Sequence, residues 1–362
     1  MKSKIRDSGL ELLRIIMMLQ IIFLHVCDKG GYSELVTQLT AGHQGLYYMV
    51  WLLSRCPVYV FLILTGYFLV KKETTFKDVV DRIKKIYLPM IFFSIAIPAV
   101  GLLFNFWEIS DINIPKTFFP FLSKTWYFLT GYIVLIIFSP FLNKLIKNLT
   151  KKQYLSLLLI LMFLFSIWRP LGSLKPFSSF ISTDLLIVNQ GGKSLYDYIF
   201  MYLLGGFLST YMDTNKKLEF KYLFYFLFLG IIQFTIAYLV PDYKTIAGYN
   251  DNLFAIAQCI CLIMFFKNLK FRSKLINYIA SYTLTIYIIH EHYLLRTYIW
   301  NNIFTTHEIS FYTGLYPLKI LGICFIVFIA CMAIEFIRRC LFKFFEKIGE
   351  LIKKRYGAPS NC

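Results

Sequence analysis

The first apolar segment of the chain carries two side chains whose types and spacing could do chemistry. Between Leu10 and Cys27 the sequence is almost entirely apolar, yet it contains Arg14 and His25, eleven residues apart. In a helix this spacing is about three turns, so both side chains face the same side, about 16 Å apart along the axis. An imidazole can accept a proton from a hydroxyl or carry an acyl group, and a guanidinium binds phosphate or carboxylate. Two structural alternatives stay open, which are a hydrogen bond between helices for His25 and an ion pair with Glu11 for Arg14.

A second apolar segment, residues 46–70, has an arginine in its interior. A charged side chain in such a segment is costly, so Arg55 is expected to line a polar cavity or to form an ion pair, with Glu291 as one candidate partner. Pro57 follows closely, and a proline interrupts a helix and frees a backbone carbonyl. The sequence therefore predicts a polar interruption of the second helix at this arginine.

A late apolar segment supplies further candidates, since residues 287–292 read YIIHEH. His290 could meet His25 across a helix bundle, and Glu291 could orient a histidine as in a His–carboxylate pair. A metal site is the alternative. Consecutive side chains point in different directions on a helix, however, and no H-E-x-x-H spacing occurs, so no metal is predicted.

A basic cluster, Arg82 with Lys84 and Lys85, precedes the third apolar segment. Most such clusters set membrane orientation or contact anionic lipid headgroups. The same charges suit the phosphates of a nucleotide-bearing donor in the cytosol. The cluster therefore has a membrane-lipid interpretation and a donor-binding interpretation.

The composition excludes an ordinary soluble domain. Of the 362 residues 58% are hydrophobic and only 16% are charged, whereas soluble domains carry about a quarter charged residues. The net charge of +18 comes from lysines and arginines in the connections between apolar runs, which favours a role in membrane orientation over nucleic-acid binding. Most of the eight cysteines lie inside apolar runs without metal-ligand spacing, so no disulfide framework is predicted.

The apolar runs predict an all-α polytopic protein of the cell membrane with ten transmembrane helices. Strongly basic connections alternate with less basic ones, so the positive-inside rule places both termini in the cytoplasm. Residues 1–345 then form one transmembrane domain, and residues 346–362 form a basic cytoplasmic tail. The predicted spans are residues 10–27, 46–70, 86–106, 126–143, 154–169, 195–211, 220–240, 251–267, 277–298 and 317–341.

Five motifs, in order along nearly the whole chain, resemble those of the integral-membrane acyltransferase-3 family. They are the R-x10-H pair of Arg14 and His25, then Arg55-Cys56-Pro57 with Thr65-Gly66-Tyr67, Arg82-Ile83-Lys84-Lys85, Trp126-Tyr127-Phe128-Leu129 through Ser139-Pro140-Phe141-Leu142, and Tyr287-Ile288-Ile289-His290. The chain departs from the family pattern at three positions. Thr65 replaces the usual serine and keeps its hydroxyl, Lys85 replaces an arginine and loses the bidentate fork, and Thr125 stands where a histidine often precedes the tryptophan.

The resemblance implies a membrane O-acyltransferase that moves an acyl group, most commonly acetyl, from acetyl-coenzyme A to hydroxyls of an envelope polysaccharide or lipid-linked glycan. Acetyl-coenzyme A is then a co-substrate, and no cofactor is bound permanently. His25 acts as general base or as acyl carrier, and both routes stay open. The implied catalytic residues are His25, Arg14, Arg55, His290 and Glu291. The implied donor-binding residues are Arg14, Arg82, Lys85, Thr65, Gly66 and Tyr67, and the implied acceptor-binding residues are Trp126 and Tyr127.

A transporter or flippase for lipid-linked sugars is the alternative from another class. It would explain ten spans and buried charge without chemistry. Transporters often contain internal repeats with paired broken helices, and no repeat is evident between the two halves of this sequence. A glycan polymerase usually needs a large loop outside the cytoplasm, and the connection at 170–194 is modest for that role.

Overall fold

The computed structural model describes residues 7–35, 38, 40–172, 174–175, 177–180, 191–212, 219–240, 242–308 and 315–356. These residues form helices joined by turns and irregular connections, without any β-strand. The all-α prediction is therefore confirmed. The longer helices are α1 (Ser8–Lys29), α2 (Ala41–Leu53), α3 (Pro57–Leu69), α4 (Phe76–Leu103), α5 (Tyr127–Asn148), α6 (Lys151–Met162), α7 (Leu195–Tyr211), α8 (Lys221–Leu239), α9 (Leu253–Asn268), α10 (Lys274–Ala280), α11 (Thr283–His290) and α12 (Tyr316–Tyr356). Short helical turns lie at Tyr32–Leu35, Ile109–Asp111, Ile114–Phe118, Phe163–Trp168, Arg169–Gly172, Phe177–Ser179, Tyr243–Ala247, Leu295–Tyr298 and Ile299–Ile303.

Seven helical stretches in the described part of the chain are long and apolar enough to cross a membrane, so the protein is a multi-pass membrane protein. They are Ser8–Lys29, Ala41–Leu69, Phe76–Leu103, Tyr127–Asn148, Lys151–Trp168, Lys221–Leu239 and Tyr316–Leu351. The other three predicted spans fall on the shorter helices α7 and α9 and on the interrupted pair α10–α11. Ten spans and cytoplasmic termini therefore stay predictions.

The predicted second span is broken where its sequence requires it. Pro57 is the first residue of α3, and α2 ends at Leu53, because a proline ring clashes with the carbonyl four residues earlier and lacks an N–H. The carbonyl of Val50 accepts from both the hydroxyl of Ser54, at 2.8 Å, and its backbone N–H, at 3.0 Å, which closes the last turn of α2. The break leaves Arg55 between two helices instead of inside one.

The predicted ninth span is also interrupted, between α10 and α11. Ser281 and Tyr282 separate the two helices, and the guanidinium of Arg339 on α12 donates to the carbonyl of Ser281 at 2.8 Å. The same guanidinium lies 3.9 Å from the ring centroid of Tyr282. This arginine satisfies the end of α10 and sets the point at which α11 begins.

Helix α1 lies at the centre of the bundle and contacts α3, α9, α10, α11 and α12. The carboxylate of Asp7 accepts from the backbone N–H of Leu10 at the helix start, and it also pairs with Lys267 at 2.5 Å. Buried Ser8 donates to the side chain of Asn277 at 3.0 Å. These bonds fix α1 along and around its axis, and so they fix the direction of Arg14 and His25.

Candidate active site

One cavity of about 390 Å³ lies between α1, α3, α4, α5 and α11. One end, here named the basic end, is lined by Arg14, Arg82 and Lys85. The other end, here named the histidine end, is lined by His25, Asp28, Arg55, Tyr127, Lys193 and Asn250. The wall between them is mainly apolar and aromatic. The two polar residues of α1 thus face one cavity, as their spacing predicts.

The histidine end brings together side chains from α1 and α11. The Nδ1 atom of His25 lies 3.0 Å from Nε2 of His290 and also 3.0 Å from Oε2 of Glu291. His290 and Glu291 are buried, and the His25 side chain keeps 16% of its surface exposed, toward the cavity. The predicted meeting of two histidines and a carboxylate is therefore present.

The hydrogen bonds at His290 determine which nitrogen of His25 is basic. Nδ1 of His290 lies 2.6 Å from the carbonyl oxygen of Ile286, and a carbonyl only accepts, so this nitrogen carries the proton. Neutral His290 then has its lone pair on Nε2 and accepts from the Nδ1–H of His25. The lone pair of neutral His25 is left on Nε2. That nitrogen is the one able to take a proton or an acyl group.

The Glu291 carboxylate is surrounded by cations. Its Oε1 pairs with the ammonium of Lys29 and lies 3.8 Å from a guanidinium nitrogen of Arg296. These charges offset the cost of a buried carboxylate, which is several kcal/mol for an unpaired ion. An imidazolium formed at His25 would find Oε2 of the same carboxylate 3.0 Å away. Glu291 can therefore stabilise a protonated His25 during a reaction.

His25, His290 and Glu291 also place three possible metal-ligand atoms within 4.8 Å of one another. Two observations count against a divalent cation there. The ammonium of Lys29 contacts the same carboxylate, and the two imidazoles already bond directly to each other. A metal would have to displace the first and break the second. The absence of a metal stays a prediction.

Arg55 occupies the break between α2 and α3 and lines the cavity. Its guanidinium stacks on Trp51, 3.7 Å from the ring centroid, and donates to the carbonyls of Trp51 at 3.3 Å and Gly248 at 3.5 Å. Its NH2 nitrogen is buried without a hydrogen-bond partner among the described residues. The alternative ion pair with Glu291 is not formed, since that carboxylate pairs with Lys29. Arg55 thus keeps free donors at the histidine end.

The basic end has three cations, and the carboxylates close by are those of Glu11 and of Asp78, which lies one helical turn before Arg82. Arg14 donates to both oxygens of Glu11 at 3.3 Å, so the structural alternative for this arginine is present, yet its side chain still lines the cavity. Arg82 has a buried guanidinium nitrogen without a partner in the described chain, and Lys85 is exposed at the same end. Uncompensated positive charge is therefore available for an anion.

Of the three consecutive residues Thr65-Gly66-Tyr67, only the first lines the cavity. Thr65 lines the cavity, where its hydroxyl donates to the carbonyl of Phe61 at 2.8 Å and bonds the hydroxyl of Tyr132 at 3.0 Å. Gly66 lies against the backbone of α7, and Tyr67 lies outside the cavity wall. Successive helical residues point about 100° apart, so three in a row cannot face one cavity. The donor-binding roles predicted for Gly66 and Tyr67 gain no support from this geometry.

Trp126 and Tyr127 also have different surroundings. Trp126 is fully buried, and its indole N–H donates to the carbonyl of Ile288 at 3.1 Å, near the end of α11. Tyr127 lines the cavity at the histidine end. The first residue therefore positions the helix that carries His290, and only the second is placed to touch an acceptor.

Sequence reasoning missed two cations at this end. Lys29 is four residues after His25, and residues four apart share a helix face, so this one had a readable signal. Lys193 reaches the cavity from the turn before α7. Its place depends on tertiary packing and has no signal in the local sequence.

A helical membrane protein with a cavity joining a basic end to a hydrogen-bonded histidine has the features of a group-transfer enzyme. A family model described as an acyltransferase domain matches residues 7–336. Because the match covers nearly the whole chain, the protein belongs to the acyltransferase-3 family and is an acyltransferase. Members of this family generally act on carbohydrates. Comparisons with curated proteins and with solved structures found no match.

Proposed function

We propose that the protein transfers an acyl group, most commonly acetyl, from acetyl-coenzyme A to a hydroxyl of a cell-surface polysaccharide or lipid-linked glycan. The observation that carries this proposal is the shared cavity, with three cations at one end and His25 at the other. The donor is rich in phosphate, whereas the reacting part of the acceptor is a hydroxyl. The basic end suits the phosphates of the donor, and the histidine end suits the hydroxyl of the acceptor.

The basic end binds the phosphates of the donor. Arg14 and Arg82 offer planar forks for two hydrogen bonds each, and Lys85 adds a point charge. The thioester then extends along the apolar wall toward His25. Because acetyl-coenzyme A is cytosolic, the basic end faces the cytoplasm, in agreement with the predicted cytoplasmic termini and ten spans.

The chemistry takes place at Nε2 of His25. This nitrogen removes the proton from the acceptor hydroxyl, the oxygen attacks the thioester carbonyl, and the C–S bond breaks. The departing thiolate takes the proton from the imidazolium, so the histidine is restored. Glu291 stabilises the imidazolium, and the free donors of Arg55 stabilise the oxyanion. On the second route Nε2 of His25 attacks the thioester carbonyl, the C–S bond breaks, and coenzyme A leaves as the thiolate. The acceptor hydroxyl then takes the acyl group from Nε2, and its proton passes to the thiolate.

The function is tested in a strain lacking this protein. We expect the NMR spectrum of its surface glycan to lose the acetyl methyl signal, and a gene encoding the wild type to restore it. His25→Ala should restore nothing. His43→Ala is the matched control, because His43 lies at the start of α2 and does not line the cavity. Full acetylation by His25→Ala at normal abundance would contradict the catalytic role.

An assay with the purified protein distinguishes an acyltransferase from a flippase. We expect radiolabelled acetyl to move from acetyl-coenzyme A to glycan isolated from the deletion strain. Movement of lipid-linked sugar across a vesicle membrane without any acetyl transfer would instead support the transporter.

A further inference from the structure

Lys193 is held at the histidine end by a turn that requires glycine. Gly191 and Gly192 precede it with φ of +67° and +84°, a region that favours glycine. A Cβ at Gly192 would overlap the hydroxyl of Tyr59 and the backbone of Asp251. The chain can therefore pass this point only without a side chain.

The residue after Lys193 is equally fixed. Ser194 caps α7, and its backbone N–H and its hydroxyl both donate to the carboxylate of Asp197, at 3.0 Å and 2.6 Å. A capping box of this kind orders the entry to a helix. Lys193 thus has a flexible side chain on a backbone that is fixed on both sides.

The ammonium of Lys193 points over the ring of Tyr127, 5.4 Å from its centroid. It has no ion pair with any carboxylate in the described chain. Two carboxylates lie at or beside this end, Asp28 and Glu291, against four cations, which are Lys29, Arg55, Lys193 and Arg296. Positive charge therefore remains at the end where the acceptor enters.

We propose that the acceptor is an acidic glycan whose carboxylate or phosphate binds Lys193. The inference rests on the proposed function and adds the charge of the acceptor to it. A neutral sugar would leave this excess of positive charge, and the unpartnered donor nitrogen of Arg55, without a compensating anion beside the reacting hydroxyl. An acidic group bound there holds the sugar next to His25 and excludes neutral glycans. Lys193 is a binding residue, whereas His25 performs the chemistry.

The test measures transfer from labelled acetyl-coenzyme A by purified protein in lipid nanodiscs. The acceptor is glycan from the deletion strain, used untreated, after reduction of its carboxylates to alcohols, or after hydrofluoric acid cleavage of its phosphodiesters. For the wild type we expect one treatment to raise the acceptor KM about tenfold, which identifies the acidic group as carboxylate or phosphate. Lys193→Gln should raise the KM for untreated glycan by the same factor and show no further effect of that treatment.

Two variants serve as controls. Lys193→Arg keeps the charge and should still lose affinity for the treated glycan, whereas Lys193→Gln no longer distinguishes treated from untreated glycan. Lys124→Gln removes an exposed cation that does not line the cavity, and it should behave as the wild type. An unchanged KM after both treatments, or in Lys193→Gln, would overturn the acidic acceptor and leave the acyltransferase intact. No transfer by the wild type to any glycan would contradict the proposed function and this inference with it.

Discussion

Nδ1 of His25 lies 3.0 Å from Nε2 of His290, whose other ring nitrogen lies 2.6 Å from the carbonyl of Ile286. This chain of two hydrogen bonds begins at a backbone carbonyl and ends at a side chain in the cavity. Each bond fixes the proton position of the next. The backbone of α11 thereby determines which nitrogen of His25 faces a substrate.

Replacement of His290 should therefore act through His25. We expect His290→Ala to lower kcat about 100-fold, because His25 loses one of the two acceptors beside its Nδ1–H, the other being Oε2 of Glu291, with little change in the KM for acetyl-coenzyme A. His290→Gln can still offer an acceptor oxygen and should lose less. Steady-state kinetics of the purified variants provide the measurement. A rise in KM at constant kcat would show that His290 binds donor instead.

Glu291→Gln should lower both activity and stability, and a second substitution should restore only part of the stability. The variant removes the charge opposite an imidazolium and should lower kcat, and it also leaves Lys29 and Arg296 without their carboxylate. We expect a lower unfolding midpoint as well. Adding Lys29→Gln should recover part of the midpoint and none of the activity, as measured by thermal unfolding beside the kinetic assay. Recovery of kcat in the double variant would contradict the role of the carboxylate.

The basic end should control use of the donor. We expect Arg14→Ala to raise the KM for acetyl-coenzyme A about tenfold and to leave the acceptor KM unchanged, since one phosphate contact is lost. Lys85→Arg restores a fork and should lower the donor KM. Lys71→Ala is the matched control, because Lys71 is exposed and lies outside the cavity wall. An equal rise in both KM values for Arg14→Ala would argue against a phosphate contact.

Gly66 should matter for packing and not for donor binding. A Cβ there would overlap the carbonyl oxygen of Tyr202, so we expect Gly66→Ala to destabilise the bundle by about 1–3 kcal/mol. The KM for acetyl-coenzyme A should stay unchanged in the folded fraction. Gly322→Ala places a methyl group in open space and is the control, with thermal unfolding as the measurement. A stable variant with a raised donor KM would return Gly66 to the donor site.

Treatment with chelators tests whether the side chains at the histidine end bond to one another or bind a metal ion. We expect excess EDTA or 1,10-phenanthroline to leave acetyl transfer unchanged, and metal analysis to find far less than one ion per chain. The reason is that Lys29 already pairs with the only carboxylate of the three possible ligands. Loss of activity that returns with added zinc would establish a metal site.

Much of the site was predictable because local geometry controls it. The spacing of Arg14 and His25 fixes their common helix face, and Pro57 fixes the break that carries Arg55. Both features depend only on residues near in sequence. The motif order then indicates the family, and the match to residues 7–336 confirms it.

The remaining features depend on tertiary contacts. The string Thr65-Gly66-Tyr67 gives no sign that its glycine lies against α7, because that depends on where Tyr202 is placed. The sequence predicts that Trp126 contacts the acceptor, whereas in the structure its indole N–H donates to the carbonyl of Ile288. The number of spans is hard to predict for a related reason, since α10 and α11 are each too short to cross a membrane alone, and Arg339 of the distant helix α12 binds at the break between them.

Arg14 and His25 stand on one unbroken helix, α1, that is anchored at its start. Their separation of about 16 Å is therefore a constant of the molecule. For the proposed reaction, this distance sets the length that the donor must have between its phosphates and its thioester. A donor whose phosphates stay bound at the basic end reaches the imidazole only if its arm has a matching length, and an acyl phosphate has no such arm.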